Sequence, residues 1–240
     1  MGKITTPNRG RVRGGLLLLA CGLLGHGLQA GAASSWLYTG AAFSEQGGRY
    51  EYLGLMAPLF SSTYLTQRYL ISDYYYRYGL NGVSVKVRGQ AAEAELGVKT
   101  GWDSGWAGAF AGPRYRDNRV SPDGADPRAD GTELGAVVGL EGEQRFGPLW
   151  ALNGTAAYTF GPDSYWGRLR LLRQVLDGKA WVGIEGVAQG DPSYHAHQGG
   201  LVVDKIKLTD TLFLGFNAGV KKSSGESRAF YGGFNLAVGF

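Results

Sequence analysis

Phe230-Tyr231-Gly232-Gly233-Phe234-Asn235-Leu236-Ala237-Val238-Gly239-Phe240 ends the 240-residue chain on an aromatic residue. Successive side chains of a strand point to opposite faces. Phe230, Gly232, Phe234, Leu236, Val238 and Phe240 therefore share one face, and Tyr231, Gly233, Asn235, Ala237 and Gly239 share the other. The segment before it divides in the same way, with Leu212, Leu214, Phe216, Ala218 and Val220 against Phe213, Gly215, Asn217, Gly219 and Lys221. Two neighbouring strands with this division fit the wall of a membrane barrel or the edge of a soluble sandwich. The rest of the chain distinguishes them.

Working outward, period-two alternation recurs between clusters of Gly, Pro, Asp, Asn and Ser, and no stretch of helical periodicity competes with it. After Trp36 no run of 18 consecutive apolar residues occurs, which excludes a helical membrane protein. Twelve strands are predicted, at 36–44, 50–58, 64–78, 83–99, 105–117, 132–145, 149–160, 164–174, 180–189, 195–207, 211–220 and 229–240. The even connections are short (Phe146-Gly147-Pro148, Leu176 to Lys179, Leu208-Thr209-Asp210), whereas the odd ones include the long polar stretch Asn118 to Gly131 and Lys221 to Ser227. That parity, and an aromatic terminus preceded by alternating apolar residues, resemble an outer-membrane barrel. The expected fold is an all-β, antiparallel transmembrane β-barrel of about twelve strands over residues 33–240, in the cell outer membrane with lipid as its partner.

Residues 1–32 read as a secretory signal peptide. Met1 to Arg13 is cationic, Gly14 to Leu28 is mostly apolar, and Ala30-Gly31-Ala32 supplies small residues for cleavage. Leu18-Leu19-Ala20-Cys21 offers a lipobox alternative, although Gly22-Leu23-Leu24 continues the apolar run. Lys3, Arg9, Arg11 and Arg13 account for the whole net charge of +4; the remaining 20 bases and 20 acids balance. The reading that the charge would suggest, a basic surface for nucleic acid or anionic lipid, thereby loses its support. Removal of the leader also removes the single cysteine, and with it any disulfide or cysteine-based metal site.

The charges orient the strands. In Tyr165-Trp166-Gly167-Arg168-Leu169-Arg170-Leu171, turning Arg168 and Arg170 to lipid would cost about 2–4 kcal/mol each at the midplane, so both face the lumen with Trp166. The next strand sends Trp181, Glu185 and Gln189 inward, and the sixth sends Glu133, Glu141, Glu143 and Arg145 inward. In the fourth strand Lys86 and Arg88 differ in parity from Glu93, Glu95 and Lys99; a β-bulge between Gly89 and Ala92 would bring all five inside. The resulting ladder of Arg and Glu either neutralises itself in a filled interior or, with faces from Trp106, Trp166 and Trp181, contacts a sugar polymer. Asp163, Tyr194 and His195 are assigned to the rim.

A hydrolase would need a nucleophile and base in hydrogen-bond reach. Ser193, His195, His197, Glu185 and Asp191 are its candidate parts, but no signature joins them, and two histidines alone make a weak metal site. No phosphate loop, dinucleotide fingerprint or zinc signature is present, so neither cofactor nor metal is expected. Asp163-Ser164-Tyr165-Trp166-Gly167-Arg168-Leu169-Arg170, then Val182-Gly183-Ile184-Glu185-Gly186, then Gly190 to Gly200, together resemble the cellulose biosynthesis protein BcsS family, most clearly over residues 130–220. Arg173 and Gln174 depart from the continuation of that family's strand. The resemblance implies an outer-membrane component of cellulose or related exopolysaccharide production and implies no reaction; the expected function is a non-enzymatic role in that secretion, with β-glucan and the cellulose secretion machinery as partners. A barrel enzyme acting on lipid or polysaccharide, and an adhesive barrel using the Asn118 to Gly131 loop, are the alternatives.

Overall fold

The computed structural model describes residues 35–60, 62 and 64–240. Twelve strands follow in order: β1 (Trp36–Ser44), β2 (Arg49–Pro58), β3 (Leu65–Leu80), β4 (Val83–Trp102), β5 (Gly105–Ser121), β6 (Gly131–Phe146), β7 (Trp150–Phe160), β8 (Ser164–Val175), β9 (Ala180–Gly190), β10 (His195–Lys207), β11 (Leu212–Ser223) and β12 (Ala229–Gly239). Each pairs antiparallel with its chain neighbours, and β12 returns to β1, from Trp36 opposite Gly239 to Ser44 opposite Tyr231. Closure removes the two edges whose unpaired N–H and C=O groups an apolar solvent would not satisfy. The expected all-β barrel and its strand order hold. The predicted signal peptide and the lipobox variant lie outside the described residues.

One end carries Ser35 and Phe240, joined by backbone hydrogen bonds of 3.0 Å in both directions, together with the turns 147–149, 176–179 and 208–211. The other end carries the connections 122–130, 191–194 and 224–228. The longest of these is shorter than predicted because β5 continues to Ser121. Its Asn118 and Val120 point inward and anchor the connection, through Asn118 Nδ2 to the Ala129 carbonyl at 2.9 Å and the Val120 N–H to Asp130 Oδ1 at 3.0 Å.

The outer face follows the alternation. Leu134, Leu140, Leu169, Ile184, Leu201, Phe230 and Phe234 are exposed, Leu134 to 74%. On β8 the side chains of Arg168 and Arg170 turn inward while Leu169 and Leu171 turn outward, as expected.

The predicted bulge in β4 is absent. Pairing with β3 runs unbroken from Leu65 opposite Val98 to Leu80 opposite Val83, and no shift occurs towards β5. Val85, Val87, Gly89, Glu93 and Glu95 therefore share the inner face, and Lys86 and Arg88 point outward and are exposed. The strand has outgrown the apolar belt at this point: β4 is 20 residues long, its outer positions Ser84, Lys86 and Arg88 are exposed, and its inner positions Val85 and Val87 are buried in an apolar cluster. A register shift does occur in β10, between Val203 and Ile206, and it aims the consecutive side chains of Asp204 and Lys205 inward.

Glycine is used to seat rings on the inner wall. Rings lie against the glycine directly opposite on the neighbouring strand at Tyr38 and Gly54, Tyr52 and Gly40, Tyr74 and Gly89, and Phe110 and Gly97. A Cβ on Gly54 would stand 2.3 Å from the Tyr38 ring, so the ring occupies the space a side chain would need.

Two outcomes follow from this wall, both read by reversible urea unfolding in lipid vesicles. Leu140→Arg is expected to destabilise the barrel by about 2–4 kcal/mol, because it places a guanidinium on the outer apolar face. Gly54→Ala is expected to cost about 1–3 kcal/mol by displacing the Tyr38 ring, an effect that Tyr38→Ala in the same chain should largely remove.

Candidate functional site

The lumen is organised in three levels. Nearest the Ser35 and Phe240 end, Ala151, Leu172, Trp181 and Val202 from β7 to β10 form a small apolar knot. Trp181, expected to offer a face to a ligand, is instead 5% exposed within this knot.

The middle level is ionic. Arg170 and Glu185 are directly opposite across β8 and β9, with Nε to Oε2 at 2.9 Å, and Arg170 Nη1 reaches Asp204 Oδ2 at 2.9 Å. Glu185 Oε1 also accepts from Asn217 Nδ2 at 2.5 Å and from the Tyr231 hydroxyl at 3.0 Å. Five consecutive strands, β8 to β12, are thus tied through one buried guanidinium–carboxylate pair. A second centre forms around Arg68 on β3, whose Nη2 is 2.7 Å from Glu95 Oε2 and whose Nη1 is 3.2 Å from Glu141 Oε2; its guanidinium lies 4.2 Å from the centre of the Phe110 ring. Between the two centres Lys205 pairs with Glu143, which also meets Arg145 Nε at 3.4 Å. Removing one member of such a buried pair leaves an uncompensated charge, at a cost of roughly 3–5 kcal/mol.

Sequence reading placed Glu141, Glu143, Arg145, Arg168, Arg170 and Glu185 inside, and the structure does so too. Arg68, Asp204, Lys205 and Tyr231 complete the clusters and were not singled out. The even parity of Thr66, Arg68, Tyr74, Tyr76 and Tyr78 was the available signal for Arg68, and the paired charges Asp204-Lys205 were the signal for the bulge.

Arg168 is built differently from Arg170. Its Nε is buried without a hydrogen-bond partner, and among the described residues its guanidinium forms no salt bridge; its Cζ lies 5.5 Å from the centre of the Trp166 ring. Lys99 similarly sits 4.0 Å from the centre of the Trp106 ring. The predicted Trp166, Arg168 and Trp106 therefore line the lumen as aromatic faces beside cations.

The third level closes the far end. Tyr76 and Tyr78 on β3 reach Tyr194 from the opposite wall, with ring centres 5.0 and 5.7 Å apart. The 122–130 connection folds onto them: Ala125 and Ala129 join Tyr78, Val85, Val87, Val120, Tyr194 and Ala196 in one apolar cluster, and the Tyr78 hydroxyl donates to Asp126 Oδ2 at 2.5 Å. Burial acts to raise the Asp126 carboxyl, but hydrogen bonds from Tyr78, Ser193 and the backbone of Arg128 and Ala129 outweigh it and hold the group below its ordinary range. Tyr194, assigned to an open rim, is thus part of a cap.

The remaining rim residues separate. Asp163 accepts from the Tyr158 hydroxyl at 3.2 Å, and His195 faces outward with Nδ1 3.3 Å from the Tyr165 hydroxyl. Asp191 is occupied by the backbone N–H groups of Ser193 and Tyr194, at 2.8 and 2.9 Å. Glu185 lies within the lumen, so Ser193, His195 and Glu185 do not assemble as nucleophile, base and orienting carboxylate. Among the described residues no group of three or more candidate metal ligands occurs.

Comparisons with known proteins agree with this architecture. The chain resembles the KdgM porin in complex with disordered oligogalacturonate at 9% identity and a TM-score of 0.52, over 85% of this chain and 99% of that one. It also resembles an outer membrane channel from Pseudomonas putida F1 at 14% identity and a TM-score of 0.53, over 89% and 97%. These likenesses speak for the fold alone. No curated protein matches the sequence. Residues 23–240 match the family described as cellulose biosynthesis protein BcsS, a stretch that includes the whole barrel. On that match, carried by the barrel's full length, the chain belongs to the cellulose biosynthesis protein BcsS family.

Proposed function

We propose that this barrel lies in the outer membrane, with the Ser35 and Phe240 end towards the periplasm, and assists the passage to the cell surface of a β-glucan made elsewhere, without catalysing a reaction on it. The observation that carries this reading is the division of labour among the lumenal cations. Arg68, Arg170 and Lys205 are matched by carboxylates, whereas Arg168 keeps an unpartnered Nε–H beside Trp166. An aromatic face next to free N–H donors suits a sugar ring, which presents C–H bonds on its faces and hydroxyls at its edge. The porin noted above holds oligogalacturonate, an acidic sugar chain. A lumen whose charges are largely self-neutralised favours an uncharged glucan instead.

The capped far end supports a second reading, in which the barrel organises polymer or partner proteins at the surface without conducting it. The cap of 122–130 on Tyr76, Tyr78 and Tyr194 would have to move before any chain passed.

Arg168→Ala and Trp166→Ala are expected to lower exported glucan severalfold while leaving the heat-modifiable band in the outer-membrane fraction intact; normal export from both variants would remove the conduit. Asp126→Asn weakens the latch, and is expected to make the 122–130 segment accessible to protease on intact cells at neutral pH. For the unaltered chain the sign follows from the lowered Asp126 carboxyl: its contribution to the latch persists at neutral pH and is lost only as the pH falls through a value below about 3.9. Protease accessibility measured from pH 7 down to 3 checks this order.

A further inference from the structure

The far ends of β3, β4 and β5 carry an arrangement that the lumen does not explain. On their outward face Arg77 lies directly opposite Lys86, and Arg88 lies directly opposite Arg119. Like charges placed directly across a ladder destabilise the pairing. Here two such pairs are adjacent, and among the described residues none of the four cations has a salt bridge or a side-chain hydrogen bond. Arg77 Nε is in addition buried without a partner.

The carboxylates closest in register hold other partners: Asp130, level with Arg119 just beyond the β5–β6 pairing, accepts from the Val120 N–H at 3.0 Å. Asp73 binds Arg49 Nη2 at 2.6 Å and accepts from Gln90 at 3.2 Å, and Asp117 accepts from Thr132 at 3.1 Å. The repulsion is therefore not relieved within the chain. An external anion between the pairs would relieve it, and would use the fork geometry of three guanidinium groups, which matches phosphate oxygens in pairs.

Position decides which anion. The outward apolar residues of β4 end at Ala92, the row of Asp73, Gln90 and Asp117 follows, and Arg88 and Lys86 come next. With a strand rise of about 3.3 Å per residue and a tilt of about 40°, Arg88 stands about 10 Å above Ala92. A long side chain bending back from there reaches the headgroup layer at the membrane boundary.

We infer that Arg77, Lys86, Arg88 and Arg119 form a site on the barrel's outer wall for the phosphate groups of an outer-leaflet glycolipid of the lipid A class. This rests on the outer-membrane placement proposed above, because in the opposite orientation the patch would meet phospholipid of the inner leaflet.

The test uses the whole barrel with Lys86→Gln/Arg88→Gln and, separately, Arg77→Gln/Arg119→Gln. The readout is the temperature at which the folded band converts to the unfolded one. In phosphate-free zwitterionic detergent both variants should convert at or above the temperature of the unaltered protein, since repulsion has been relieved. In phosphatidylcholine vesicles containing bisphosphorylated lipid A, the unaltered protein should gain stability and the variants should not. Lipid A retention should fall about fivefold for each cation removed. Equal stabilisation of all forms by lipid A, or equal stabilisation by dephosphorylated lipid A or by inorganic phosphate, would overturn the assignment. Failure to insert into vesicles of any composition would overturn both this site and the outer-membrane placement, whereas insertion without lipid A preference would overturn the site alone.

Discussion

Desolvation of charge is the constraint from which the rest of this barrel is built. A guanidinium cannot be given to an apolar medium cheaply, so each strand that carries one has a single tolerable orientation, and its alternate residues are committed to the opposite face. Arg170 and Arg68 set the inner side of β8 and β3. Once inside, the same groups need counter-charges, because a lumen crowded with side chains solvates them less well than bulk water. Glu185 and Asp204 serve Arg170, and Glu95 and Glu141 serve Arg68. Barrel closure brings these partners from strands distant in sequence onto one level. Backbone pairing and charge pairing are therefore mutually dependent here.

That dependence divides the lumen by task. The paired cations tie neighbouring strands together and leave little capacity to bind anything else. The residues with spare capacity include Arg168 beside Trp166, Lys99 beside Trp106, the unpartnered Nε–H groups of Arg114 and Arg116, and one unpartnered oxygen of Glu141. Tyr76, Tyr78 and Tyr194 occupy the level above them, where the apolar cap has replaced the ionic network. Inner-face glycines seat the rings of Tyr38, Tyr52, Tyr74 and Phe110, which accounts for part of the high glycine content of a chain with modest loops.

The parts of this structure that were legible in the sequence are those governed by strict alternation. The faces of β6, β8, β9, β11 and β12 follow from period two and the cost of exposing charge, and the strand count follows from the turn residues between them. Two places resisted for opposite reasons. In β4 the rule that polar residues point inward holds only within the apolar belt, and Lys86 and Arg88 lie beyond it, where the outer face is exposed and the inner face is filled by Val85 and Val87. In β10 the alternation breaks within Val203-Asp204-Lys205-Ile206, and single-chain pattern reading gave no bulge there. The cap was also hidden, since Tyr194 and Tyr78 meet only because β3 and the 191–194 connection face each other across the closed cylinder. Sequence separation carries no record of that distance.

The bulge in β10 has a consequence for how such a wall can change. Val203 lies opposite Phe216 and Ile206 opposite Leu214, so both remain on the outward side although two residues separate them. Lys205 is therefore supernumerary to the alternation: excising that one codon would delete an interior positive charge and leave every other side chain on its present face. Insertions and deletions of single residues, usually ruinous in a strand, here become a means of adjusting the electrical character of the interior one unit at a time.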